Sequence, residues 1–427
     1  MIGIEQRSVC DGVNFRSIKD TKFKTVRMSV NFMLPLQKSA VASNAILPFL
    51  LSRASREYPD FTKLGERLEE LYGAEINADV QKLGDVQLLS ISASGIADRY
   101  TLKGESVSTE LSKLLCSIIF DPPFENGLFP QQGFEQEKRQ TIELIDSEYN
   151  DKRTYAKLRC EEIMCSGEPY GIGRYGKKED INQLKREDLT EAWQYLIRNA
   201  KIEILVLGDC DPEPVFDGFF HAFQQLNRTA TVPCPTHNVK KAEKADEITE
   251  KMDVAQSKLV LGFRTYTAVP DAETSVVKLM TALFGGTPNS KLFMNVREKL
   301  SLCYYCNAQY NSMKGIILVQ SGVETKNIDR AKQEILLQLD EIKKGNFDEN
   351  ELTTAKLSLC NSYRTVCDSL GGLEAWYLSQ TFSNQIKRPE EAAAIIQAVT
   401  RQEVIDAANR VTLDTVYRLV GSGEKVE

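Results

Sequence analysis

One arrangement of residues occurs twice in this chain. Lys63-Leu64 precede Ala74-Glu75-Ile76 as Lys291-Leu292 precede Leu302-Cys303-Tyr304, and the paired landmarks lie 228 residues apart. The patterns around them agree. In the first half, residues 27–32 alternate as a strand and helical periodicity follows at 40–56 and 61–72. Strands are predicted at 75–82 and 87–94, joined by the turn Leu83-Gly84-Asp85, whose glycine can take positive φ. Helices at 107–120 and 131–164, the second long enough to be broken or bent, lead to a closing strand at 202–207. In the second half, a strand at 257–263 precedes helices at 271–284 and 291–300, then strands at 303–310 and 315–321. Helices at 327–344 and 348–368 lead to a last strand at 415–420. A repeat of this length is a domain duplication rather than a solenoid. The 427 residues also exceed what a single core usually holds, roughly 250–300. The expectation is therefore α+β: two homologous mixed domains at 1–228 and 255–427, each with an antiparallel-rich sheet packed with helices. The stretch 229–254, with Pro233, Pro235 and a charged run at 240–251, reads as an exposed linker.

Charge and cysteine usage exclude several functions. Lys and Arg number 53 against 60 Asp and Glu, a net charge of −7 mixed along the chain. A nucleic-acid partner would ask for a basic face, so none is expected. No apolar run approaches the roughly 18 residues of a membrane span, and Met1-Ile2-Gly3-Ile4-Glu5-Gln6-Arg7 does not begin like a secretory signal. The ten cysteines are scattered rather than framed as disulfide pairs. Together these place the chain in a reducing cytoplasm.

Metal chemistry finds little support. The two histidines, His221 and His237, have no imidazole partner at helical spacing, so no zinc site and no cofactor are expected. Cys303-Tyr304-Tyr305-Cys306 is a solitary C-x-x-C in a predicted strand, where side chains three apart point to opposite faces. It reads as two ordinary strand cysteines. Gly285-Gly286 and Pro288 read as a turn before a helix capped by Asn289 or Ser290. No Gly-Lys-Ser/Thr follows to make a phosphate loop, and no Gly-x-Ser-x-Gly elbow or Cys/His pairing marks a nucleophile.

Residues 64–78, Leu-Gly-Glu-Arg-Leu-Glu-Glu-Leu-Tyr-Gly-Ala-Glu-Ile-Asn-Ala, resemble a helix-to-strand segment of the pitrilysin/insulinase-like zinc metallopeptidases, the family that includes mitochondrial processing peptidase. Glu137 to Leu144, Pro169-Tyr170-Gly171, Gly176, Ile181, Leu184, Leu189 and 202–208 follow the family order. Arg297-Glu298-Lys299-Leu300-Ser301-Leu302-Cys303-Tyr304 resembles the second-domain motif Arg-Glu-Lys-x-Gly-Leu-x-Tyr, departing from it at Ser301. The family's inverted zinc motif, His-x-x-Glu-His, falls on Pro48-Phe49-Leu50-Leu51-Ser52. Positions 48 and 52 share a helix face, where two imidazoles would hold zinc while the glutamate activates water. Here Pro48 and Ser52 replace the histidines, Leu51 replaces the base, and Leu144 stands where the third ligand, a glutamate, is expected.

The resemblance implies a clam-shell of two domains and a degenerate member like the bacterial inactive-partner subunit, with no catalytic residues of its own. It also implies that Arg297 and Tyr304 bind substrate, the guanidinium on a peptide carbonyl and the phenol toward a developing oxyanion. The expected function is a non-catalytic subunit of a heterodimeric zinc peptidase, with a zinc-motif-bearing homologue as partner and a peptide as substrate. The alternative is a peptide-binding or structural scaffold without a proteolytic role, for which a stable homodimer of the isolated chain would speak.

Overall fold

The computed structural model describes residues 4–226, 228 and 231–421. Thr229 and Ala230 of the expected linker, and both extreme ends of the expected domains, lie outside the described residues. The chain separates into two compact units that interleave in sequence. One comprises 1–146, 172–235 and 369–378, the other 147–171, 236–368 and 379–427.

The first unit is built on β1 (Ile4–Cys10), β2 (Val13–Lys19), β3 (Thr25–Pro35), β4 (Glu75–Leu83), β5 (Val86–Ile96) and β6 (Lys201–Gly208). They lie in the order β1-β2-β6-β3-β5-β4, antiparallel except for β2 beside β6. Strands β3 and β6 are buried along nearly their whole length, which is why β6 reads as an apolar run rather than an alternation. Its one carboxylate, Glu203, is fully buried and is held by Arg16 Nη2 at 3.3 Å and Asn14 Nδ2 at 2.9 Å. At the edge, β4 alternates polar and half-buried residues. Gly84 turns the β4–β5 hairpin at φ +60°, as its sequence predicts.

The second unit carries β7 (Asp246–Met252), β8 (Ser257–Arg264), β9 (Cys303–Asn311), β10 (Ile316–Val323) and β11 (Thr412–Gly421) in the order β7-β11-β8-β10-β9. Only β7 and β11 run parallel. This order and its parallel pair repeat β2-β6-β3-β5-β4 strand for strand. The counterpart of β2 is thus β7, which lies inside the stretch expected to be linker. Its sequence, Asp-Glu-Ile-Thr-Glu-Lys-Met, hides it: an edge strand is half solvated, and charge there guards against pairing with other chains.

The helices follow the same duplication. We label α1 (Val41–Leu51), α2 (Gln131–Asn150), α3 (Lys152–Met164), α4 (Glu349–Val366) and α5 (Leu370–Leu378). The helical stretch predicted at 131–164 is broken at Asp151, whose carboxylate accepts from Arg153 N at 3.1 Å and Thr154 Oγ1 at 2.6 Å. Beyond this break α3 packs on β8 and β11 in the second unit; α5, following α4, packs on β6 and β3 in the first. Each unit therefore takes one helix from the other half of the sequence. Arg27 on β3 holds Glu374 of α5. On β8, Arg264 donates to the Met164 carbonyl at 2.7 Å and pairs with Glu168 at 2.7 Å. Among the described residues, no helix is long and apolar enough to cross a membrane.

Candidate functional site

Helix α1 is apolar nearly all round and is correspondingly buried, packing on β4 and β5. Each position of the inverted motif now has a structural occupation. Pro48, inside the helix, has no N–H to give to the Asn44 carbonyl. Leu51 is 1 % exposed and belongs to the first unit's core. Ser52 ends the helix, its N–H reaching the Pro48 carbonyl at 3.1 Å and its hydroxyl the Phe49 carbonyl at 2.9 Å. Leu144, two turns beyond Glu137 on α2, is 37 % exposed.

Arg53 follows the Ser52 cap of α1, and nothing in its sequence spacing singles it out. Its Nη1 donates to Glu137 Oε1 at 2.7 Å and its Nη2 to Gln136 Oε1 at 2.9 Å. The Gln140 amide, oriented to satisfy its neighbours, donates to both Glu137 oxygens at 3.2 and 3.0 Å. Glu137 is buried, and burial holds its carboxyl above the usual carboxylate range although Arg53 opposes the shift. A carboxylate tied in this way is neither a free base nor an open ligand.

The second unit places Arg297 and Tyr304 around one open cleft of about 430 Å³, with Glu298, Ser301, Leu302, Cys303, Glu324 and Asn327 as its other walls. Arg297 stands on a π-helical segment, Leu292–Lys299, anchored by the buried Leu292 and Val296. The segment widens until Leu300 N bonds the Asn295 carbonyl at 3.1 Å. Ser301 then turns the chain with φ +50°, the left-handed region that suits glycine. The Arg297 guanidinium lies 4.6 Å from the Phe293 ring centre, and its Nε is 3.6 Å from Glu298 Oε1. Tyr304 is 65 % exposed, so it does not pack in the sheet.

A β-bulge explains that exposure and corrects the expectation for the C-x-x-C. Val323 of β10 faces Cys303 while Gly322 faces Tyr305, leaving Tyr304 as the extra residue. Cys303 and Cys306 consequently both turn inward, 8 % and 4 % exposed, into the second unit's core. Period-two alternation put them on opposite faces and was wrong here. A signal was present in the partner strand: a Cβ on Gly322 would lie 2.5 Å from the Tyr305 ring, and a strand glycine often marks such an approach. Gly285 likewise does more than turn the chain, since a Cβ there would meet Leu292 at 2.6 Å and Ala308 at 2.9 Å. Ser290, not Asn289, supplies the cap, its Oγ accepting from Phe293 N at 3.4 Å.

A family model described as the peptidase M16 inactive domain matches residues 183–359. A protein of Bacillus subtilis (strain 168) described as "Probable inactive metalloprotease YmfF" is 33% identical over 98% of both chains. The chain belongs to the peptidase M16 family. This bears out the resemblance drawn from the motifs. A crystal structure of a conserved protein from Enterococcus faecalis V583 superposes with a TM-score of 0.89 at 31% identity, over 99% of both chains. A peptidase M16 inactive domain from Pseudomonas fluorescens, 16% identical, shares the fold with a TM-score of 0.79 over 98% of both chains.

In this M16 chain the histidines serve elsewhere. His221 lies in the last turn of the helix Pro212–Gln224, edge-on to Phe220, and the His237 carbonyl accepts from Lys314. Among the described residues, no three His, Cys, Asp or Glu side chains gather as a metal site. The residues expected at the zinc positions, Pro48, Ser52 and Leu144, offer no donor set that fits zinc.

Proposed function

We propose that this chain is a non-catalytic M16 subunit that works with a zinc-bearing homologue, to which it contributes Arg297 and Tyr304 as substrate-binding residues. The observation that carries this reading is the contrast between the two positions. The expected zinc-ligand positions hold Pro48, Ser52 and Leu144 and the expected base position a buried Leu51, whereas Arg297 and Tyr304 stand on an open cleft. Among the described residues the Tyr304 hydroxyl has no hydrogen-bond partner, which leaves its donor for a ligand. The description of the Bacillus subtilis relative as a probable inactive metalloprotease agrees with the first half of the contrast.

Chemically, Arg297 would hold a peptide carbonyl through its planar fork. Tyr304 would donate to the oxygen of the carbonyl under attack, where negative charge develops. The partner would supply the metal and the base. The proposed location is the cytoplasm.

Co-expression with a homologue carrying His-x-x-Glu-His tests the assignment. The expected result is a complex with zinc on the partner alone, peptide cleavage by the complex, and neither zinc nor cleavage with this chain by itself. A chain that stays a homodimer and captures no such homologue would favour the scaffold reading. One tightly bound zinc per isolated chain, removed by chelator together with activity, would overturn both.

A further inference from the structure

The bulge that turns Tyr304 outward sets Cys303 opposite Val323 and Cys306 opposite Ser321, two residues apart on β10, and brings both cysteines to one inward face. Cys303 lines the cleft with Arg297, and Cys306 lies behind it on the same inward face. The proposed peptidase role uses neither sulfur. We propose that Cys303 and Cys306 form a peroxide-sensitive thiol pair, with Cys303 the attacking sulfur and Cys306 the resolving one.

Three features support the division of labour. Cys303 lines the cleft and is 8 % exposed, while Cys306 is 4 % exposed and is not among the cleft's lining residues. Contact with the Cys306 thiol, and then the positive charge of Arg297, draw Cys303 below the ordinary thiol range against the effect of burial. The same contact, with burial, keeps Cys306 protonated. The thiolate is the nucleophile, and cationic surroundings with partial access mark reactive cysteines. At other cysteines the same effect of burial prevails, pushing Cys116 up to about 12 and Cys234 up to about 11.

The chemistry balances with hydrogen peroxide as oxidant. The Cys303 thiolate attacks one peroxide oxygen and the O–O bond breaks, giving a sulfenic acid and hydroxide. The Cys306 sulfur then displaces the sulfenic oxygen, which leaves as water with the Cys306 proton, and the S–S bond forms. The hydroxide takes up the proton that Cys303 gave when it ionised. Two thiols are oxidised by two electrons and one peroxide is reduced to two waters. The new bond spans Tyr304 and Tyr305, so oxidation tightens the bulge that presents Tyr304.

The experiment treats the full chain with a small excess of hydrogen peroxide, blocks remaining thiols with iodoacetamide, and analyses the tryptic fragment 300–314, which holds only these two cysteines. The expected fragment has lost two hydrogens and carries no alkyl group, while the other cysteines are alkylated; dithiothreitol restores both thiols. With Cys306→Ser the sulfenic acid persists and dimedone traps it on Cys303. Arg297→Gln slows the reaction roughly three- to tenfold by weakening the thiolate. A fragment alkylated at both cysteines, earlier oxidation of Cys10, Cys116, Cys234 or Cys367, or sulfinic acid on Cys303 without a disulfide would each overturn the proposal. The wild-type result decides even if the variants fold poorly.

Discussion

Arg53 Nη1 lies 2.7 Å from Glu137 Oε1, and this ion pair ties the residue after the α1 cap to α2, next to the stretch expected to carry the inverted zinc motif. Glu137 is 3 % exposed, and a buried carboxylate needs a cation or hydrogen-bond donors to offset its desolvation. The guanidinium supplies the charge, together with directed hydrogen bonds.

Removing that cation leaves the carboxylate buried and unpaired. Arg53→Met should therefore cost about 2–4 kcal/mol, read as a lower urea midpoint. Adding Glu137→Gln should recover much of the loss, because a neutral amide is cheaper to bury. Equal stability of the single and double variants would contradict the charge argument.

The same pair has a pH signature. Glu137 is held above the usual carboxylate range by burial, against the opposing pull of Arg53. The folded chain then binds this proton more tightly than the unfolded chain. Its protonation contributes stability that is fully present below the unfolded pKa and is lost as pH rises through the folded one. Without Arg53 the folded pKa rises further, so the deficit of Arg53→Met should be larger near pH ~7 than near pH ~5. Denaturant midpoints of both proteins at the two pH values check this.

Ser301 pays for a backbone conformation that glycine adopts freely. Ser301→Gly should stabilise by about 0.5–1 kcal/mol, the relief of left-handed strain partly offset by the greater freedom of an unfolded glycine. Ser301→Val should destabilise, since a β-branched residue tolerates positive φ poorly. Thermal melts of the three proteins give the order, and a Gly variant less stable than Ser would refute it.

Rebuilding the zinc positions should meet its resistance at one residue. Leu51→Glu places a carboxylate in the core and should cost about 3 kcal/mol or more. Leu144→Glu, at a partly exposed site, should stay within about 0.5 kcal/mol. The full set Pro48→His, Leu51→Glu, Ser52→His and Leu144→Glu should regain metal binding more readily than cleavage, because the ligands lack supporting hydrogen bonds. Peptide cleavage by that variant at rates typical of active relatives would contradict the account.

The duplication was legible because its landmarks include buried anchors: Leu64 and Leu292 are each at most 2 % exposed and cannot drift. Strand β7 was not, because an edge strand advertises charge rather than apolar alternation. The exchange of α3 and α5 was also hidden, since a helix shows which of its faces is apolar but not which sheet receives it. At the expected metal position, the residues standing at 48, 51, 52 and 144 could be read directly. The compensating Arg53 could not, because nothing in its spacing joins it to Glu137 before the chain folds. The cysteine pair was misread for a related reason: one bulge residue, Tyr304, shifts the strand's alternation.

The most direct test of the central claim is steady-state peptide cleavage by the complex of this chain with a zinc-motif-bearing homologue, comparing wild type with Tyr304→Phe and Arg297→Lys. Tyr304 is exposed, so losing its hydroxyl should leave assembly and melting temperature unchanged. Turnover should fall on the order of 10²–10³-fold if the phenol stabilises the transition state. Arg297→Lys should also be damaging, because an ammonium does not reproduce the planar fork. Unchanged turnover in both variants, with assembly intact, would contradict the account and return Arg297 and Tyr304 to surface residues of a scaffold.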